Sequence, residues 1–180
     1  MKQKRATRVI SLVTMGLLSA ILLVAQVSLA FLPNIELVTL LIILYTLVYK
    51  KQVFLIIYAF VLLEGVLYGF GIWWISYLYV WPLLALVVLA MRKNQSVVIW
   101  AVAAGAYGLA FGALTAIPYL ISGGPGAAFA YWAAGIPYDI IHCASNFVLT
   151  LVLFKPLFHL LTKLHTSQVN AFQGGGSGAP

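Results

Sequence analysis

Long blocks without a charged residue dominate the chain: 9–35, 37–49, 52–63, 65–91, 94–138 and 140–154. A transmembrane α-helix needs about 20 apolar residues to cross the hydrocarbon, so most blocks hold one span and the polar interruptions mark the ends. The pattern predicts helices at 9–32, 35–49, 52–69, 76–91, 96–121 and 137–154. Pro33-Asn34 ends the first, because proline lacks a donor and disfavours helix in the residue before it. Asn34 is then placed to cap the second, with Glu36 in its first turn, where a carboxylate suits the helix dipole. The second helix is short for a full span and either packs steeply against neighbours or begins below the outer surface. Gly69-Phe70-Gly71 reads as a turn inside an aromatic belt, and Ser122-Gly123-Gly124-Pro125-Gly126 as a stop after the fifth helix. Pro137 suits the first turn of the sixth, which is expected to end at Lys155-Pro156. Beyond it Leu157, Phe158, Leu160 and Leu161, with His159, Lys163 and His165, form an amphipathic stretch suited to the membrane interface.

Composition strengthens this reading. Hydrophobic residues make up 64% of the 180 and charged residues 7%, with a mean hydropathy of +1.07; a soluble domain carries about 25% charged residues. The expected fold class is therefore an all-α integral membrane protein with six transmembrane helices, a single domain over 1–166, followed over 167–180 by a tail of flexible-linker composition.

Ten Lys and Arg against three Asp and Glu give a net charge of +7. The bases sit singly or in pairs between apolar runs, which argues against a nucleic-acid face. Lys2, Lys4, Arg5, Arg8, Lys50, Lys51, Arg92, Lys93, Lys155 and Lys163 all fall on one side of the predicted bundle, so the positive-inside rule places both termini in the cytoplasm. The lone cysteine, Cys143, excludes a disulfide framework and a cysteine metal site.

The three acids carry the most information, because an ionisable group at membrane depth is costly and faces a bundle interior, a cavity or a partner. Glu64 lies 13 residues beyond Lys51, about 20 Å along a helix at 1.5 Å per residue, in the outer half of the bilayer. Asp139 is also near the outer side. On the sixth helix Asp139, His142, Cys143, Asn146 and Thr150 share about 100° of arc. This inward stripe serves either a solute site lined by Asp139, His142 and Asn146 or interhelical hydrogen bonding. Trp73, Trp74, Tyr77, Tyr131 and Trp132 lie in the outer loops nearest the acids, either as an interfacial belt or as stacking partners for a flat ring. Two acids without an outer base favour a cationic or neutral nitrogen heterocycle.

Ala104, Gly108, Gly112 and Ala116 form a small-residue ridge on the fifth helix, suited to internal packing. Gly16 and Ala20, with Ser19 beside them, repeat that spacing on the first helix, for internal packing or for docking another membrane protein.

The basic N-terminus with Gly16-Leu-Leu-Ser-Ala20, the turn Pro33-Asn34-Ile-Glu36-Leu, and Gly135-Ile-Pro-Tyr-Asp139-Ile-Ile-His142 running into Asn146-Phe-Val-Leu and Phe154-Lys-Pro-Leu157 resemble the substrate-binding S-component of energy-coupling factor (ECF) vitamin transporters. The likeness covers about residues 5–165. It implies a multi-pass subunit of the bacterial cytoplasmic membrane that binds a water-soluble vitamin or related micronutrient in its outer half, with the first outer loop, including Asn34, and the 3–4 and 5–6 loops around it. It further implies docking through the first helix, at Gly16, Ser19 and Ala20, onto a transmembrane coupling subunit driven by two ATP-binding cassette ATPases, and release of solute by toppling. No cofactor is expected, and ATP chemistry would belong to the partners, since this chain carries no Walker-type phosphate loop. The main rival from the residues alone is a stand-alone facilitator or proton-coupled carrier using Glu64 or Asp139. An intramembrane enzyme ranks behind both, because Asp139 and His142 have no third ligand or nucleophile nearby.

Overall fold

The computed structural model describes residues 2–174, with side chains from 9 to 170. Every regular element among them is helical: α1 (Lys2–Leu29), α2 (Val38–Tyr49), α3 (Val53–Tyr68), α4 (Ile72–Met91), α5 (Val97–Thr115) and α6 (Ile117–Gly174). Five stretches are long and apolar enough to cross a membrane, one of them the combined α2 and α3 over Val38–Tyr68.

Helix α2 explains its own brevity. Its 12 residues, about 18 Å of helix, are buried without interruption from Val38 to Thr46. A helix apolar all round belongs inside its bundle. Leu22, Ile56, Ile57, Phe60, Val80 and Ala85 close around it from α1, α3 and α4. At the α2–α3 junction a 3-10 turn at Lys50–Gln52, with Lys50 at φ +53°, reverses the chain. Glu36 ahead of α2 and Glu64 late in α3 consequently line the same cavity, while Tyr49 and Gln52 lie together at the other end.

Several boundaries differ from the sequence pattern, among them the start of α1, at Lys2 and not 9, and the end of α5, at Thr115 and not 121, with α6 following from Ile117. Helix α1 stops at Leu29, three residues early, and the chain turns through Ala30, Leu32 and Ile35 by successive short-range hydrogen bonds. Asn34 does not cap α2: it sits at φ +57°, and its amide donates to the Tyr138 carbonyl at 3.1 Å. Glu36 takes the capping role, its Oε2 accepting the Thr39 backbone N–H at 2.8 Å. Helix α4 begins at Ile72, four residues early, because the Trp74 indole donates to the Val61 carbonyl at 2.8 Å and fixes the first turn of α4 against α3. Gly69, at φ +88°, provides the left-handed turn between these helices.

The largest difference lies in α6. The expected stop at 122–126 is a kink at Gly124, φ +78°, with helix on both sides. Helix then runs through Pro137 and Pro156, which were expected to bound it, and through the stretch expected to lie at the interface. A proline removes one hydrogen bond and costs about 3 kcal/mol inside a helix, and tertiary packing offsets that here. Phe154 stacks between Trp100 and Phe158, with centroids 6.4 and 5.6 Å away. Further on, His165 meets Tyr49 at 4.9 Å and Gln168 donates to Thr14 Oγ1 at 2.6 Å. Helix also replaces the expected linker from 167 to Gly174; the remainder of that tail, 175–180, lies outside the described residues.

Helices α5 and α6 touch along the small-residue ridge. A Cβ on Gly108 would come within 2.8 Å of the His142 backbone, and one on Gly112 would strike the Asp139 carboxylate. The outward faces are apolar: Val13, Leu17, Val24, Val66 and Val152 are each more than 60% exposed. Such a girdle suits lipid and not water.

Candidate functional site

A cavity of about 390 Å³ opens at the end of the bundle where α2 begins. That volume lies within the range of small-molecule sites, roughly 300–1,000 Å³. Its rim is the turn from Leu29 to Glu36; its walls come from Glu64 and Tyr68 of α3, Trp73, Tyr77 and Trp81 of α4, Phe111 of α5 and His142 of α6.

Two features give the cavity chemical character. The first is a buried pair: His142 Nε2 lies 3.1 Å from Glu36 Oε1. Burial pushes the Glu36 carboxyl up, but the bond to and charge of His142, with the Thr39 hydrogen bonds, outweigh it and hold the group below its ordinary value of 4.5. The second is a file of aromatic rings in edge-to-face or tilted contact. Trp73 meets Tyr77 at 5.2 Å, Tyr77 meets Trp81 at 5.4 Å, Trp81 meets Phe111 at 5.5 Å and Phe111 meets His142 at 5.0 Å. Three lining residues carry a buried polar atom without a protein partner: Glu64 Oε1, Trp81 Nε1 and His142 Nδ1. Buried polar groups are nearly always hydrogen-bonded, so these three atoms equip the cavity for a polar guest.

Of the residues singled out in the sequence, the structure gathers Asn34, Glu64, Trp73, Tyr77 and His142 around this cavity. The others lie elsewhere. Asp139 is 3% exposed and turns toward α5, where its Oδ1 accepts the Gly112 backbone N–H at 3.0 Å. Asn146 and Thr150 are buried further along the same face of α6. The stripe is thus divided: His142 serves the cavity and Asp139 serves the α5–α6 contact. Trp74 holds α3 against α4, as described above. Tyr131 stacks on Tyr119 at 4.2 Å, and Trp132, with Phe129 at 6.0 Å, is among the exposed residues.

Glu36, Trp81 and Phe111 line the cavity without having been singled out for it. Glu36 had an adequate local explanation in the dipole of α2, which concealed its second carboxylate oxygen. Trp81 carried a usable signal, since Trp73, Tyr77 and Trp81 recur every fourth residue and share one helix face. Phe111 had none. On α1, Gly16 is exposed and a Cβ there would meet nothing within 4 Å. Ser19 points inward and donates to the Met15 and Ile56 carbonyls at 2.8 and 2.9 Å, which removes it from any outward docking face. Ala20 is half-buried. Among the described residues no group of three or more His, Cys, Asp and Glu could hold a metal ion.

The helical fold, the apolar girdle and the helices long and apolar enough to cross a membrane are those of a multi-pass helical membrane protein. No family model, curated protein or solved structure matches the chain.

Proposed function

We propose that this protein is the solute-binding membrane subunit of an ATP-driven importer of the energy-coupling factor type, taking a water-soluble vitamin or related nitrogen heterocycle into the cavity beside Glu36, Glu64 and His142. The observation that carries the reading is the combination of a buried, unpartnered Glu64 oxygen with a file of aromatic rings in one solute-sized cavity. A carboxylate accepts from a ring N–H or balances a cationic ring, and aromatic faces and edges hold a flat heterocycle. In this reading six helices cross the membrane of a bacterial cell with both termini inside, because the bases cluster at the end away from the cavity. ATP hydrolysis resides in two partner ATPases, and a transmembrane coupling subunit docks on the exposed face of α1 around Gly16 and Ala20.

One observation favours a second reading. The buried Glu36–His142 pair joins two protonatable groups at the cavity wall, the arrangement a proton-coupled carrier uses. The two readings separate in one experiment. Detergent-purified protein from cells grown in rich medium is analysed by native mass spectrometry with extraction of the bound molecule, and uptake of that molecule is then followed with and without ATPase partners. A stoichiometric heterocycle whose uptake requires the partners supports the importer subunit. Uptake driven by a pH gradient without partners supports the carrier, and a protein that binds no solute from a vitamin panel overturns both.

A further inference from the structure

A second, larger cavity of about 550 Å³ lies at the opposite end of the bundle, between the α4–α5 turn and α6. Its polar lining is Arg92, Asn94 and Gln95 from the turn, with Lys155, His159 and Thr162 from α6. No Asp or Glu contributes to it. Three independent features favour an anion there. Arg92, Lys155 and His159 are exposed side chains around one concavity. The N-terminus of α5, a 19-residue helix, meets it at Val97, and the first N–H groups of a helix attract anions. The Asn94 amide nitrogen is buried with no partner, while its oxygen is occupied by the Ser96 N–H at 3.1 Å. The apolar part of the lining is Leu47, Val97 and the half-buried Phe158, with the buried Trp100 and Phe154 stacked behind; a small inorganic ion would leave Val97 and Phe158 uncovered.

We infer that this cavity binds the phosphate of an anionic phospholipid, with Arg92, Asn94, Lys155 and His159 around the headgroup and Val97 and Phe158 against the glycerol and upper acyl chain. The chemistry shared with a free phosphate is the anion; the apolar wall assigns it to a lipid. Basic pockets between membrane helices suit such headgroups, and each Lys or Arg near an anionic membrane surface contributes measurably to attraction. The inference does not depend on which solute occupies the other end.

The test is lipid titration of the purified full chain by native mass spectrometry, with phosphatidylglycerol, phosphatidylcholine and soluble glycerol phosphate as probes. Phosphatidylglycerol should bind at one saturable site, and Arg92→Gln with Lys155→Gln should weaken it about tenfold. Arg92→Lys with Lys155→Arg should retain it, which separates loss of charge from loss of fold. Lys50→Gln with Lys51→Gln removes the same net charge outside the cavity and should change the affinity less than twofold. Equal binding of phosphatidylcholine, an equal loss in the Lys50 and Lys51 variant, or unchanged affinity in the Arg92 and Lys155 variant would overturn the site. Displacement of the lipid by equimolar glycerol phosphate would overturn its assignment to a lipid.

Discussion

Glu36 and His142 stand 106 positions apart in the chain and meet at 3.1 Å in the wall of the cavity. One end of the Glu36 carboxylate caps α2 through Thr39 and the other holds the imidazole of α6. The pair therefore couples the turn that rims the cavity to the helix that backs it. Breaking one partner of a buried pair leaves an uncompensated polar group, a loss of about 3–5 kcal/mol. Its pH dependence has a definite sign. Because the folded-state value of Glu36 lies below the ordinary 4.5, its stabilisation is fully present above that value and is lost as pH falls through the folded-state value. Thermal unfolding in detergent should give a melting temperature that falls more steeply below pH 4.5 in the wild type than in Glu36→Gln. Identical slopes in the two proteins would remove the pair from the acid response.

Glu64 is the second test of the cavity. Its Oε1 is buried and unpartnered, and a hydrogen bond to a charged group contributes about 1.5–3 kcal/mol. Glu64→Gln should weaken solute binding by roughly ten- to a hundredfold while leaving the melting temperature of the empty protein unchanged or raised, since a neutral amide is cheaper to bury. Calorimetry on the ligand recovered from the purified protein measures this, and an unchanged affinity would place the solute elsewhere.

The contrast between Glu64 and Asp139 shows what the sequence carried and what it did not. Depth along a helix is a one-dimensional property, so counting from Lys51 and from Pro137 placed both acids toward the same end, and the periodicity of α6 found a stripe that is buried. What each acid touches is set by neighbours on other helices. The same 100° of arc includes His142, which turns to the cavity, and Asp139, which turns to Gly112. The length of α6 was hidden for a related reason: Pro137 and Pro156 read locally as boundaries, and the contacts that carry the helix through them, Phe154 on Trp100 and His165 on Tyr49, come from distant segments. The reversal at Lys50-Lys51, by contrast, was marked where it occurs, by charge.

Asp139 belongs to the packing of α5 on α6. Its Oδ1 accepts from the Gly112 N–H, and an asparagine oxygen can do the same. Asp139→Asn should therefore preserve both stability and solute affinity. Asp139→Ala should lower stability by about 1–2 kcal/mol, the cost of a lost buried hydrogen bond, and change affinity less than threefold. A large loss of affinity in Asp139→Asn with unchanged melting would return Asp139 to the binding site.

The ridge itself can be broken at one atom. A Cβ on Gly108 would meet the His142 carbonyl carbon and oxygen at 2.8 Å, and these are backbone atoms that cannot swing aside. Gly108→Val should push α6 from α5, lower stability by about 1–3 kcal/mol as overpacked cores do, and shift His142 away from Glu36. Gly16 is the matched control, because it also sits in a small-residue pair but on the open face of α1, where a Cβ meets nothing within 4 Å. If the proposed importer reading holds, Gly16→Leu should leave the melting temperature and the solute affinity of the isolated protein unchanged and abolish co-purification with the proposed coupling subunit. Co-purification and ATP-dependent uptake at wild-type levels in Gly16→Leu would show that this face of α1 meets only lipid.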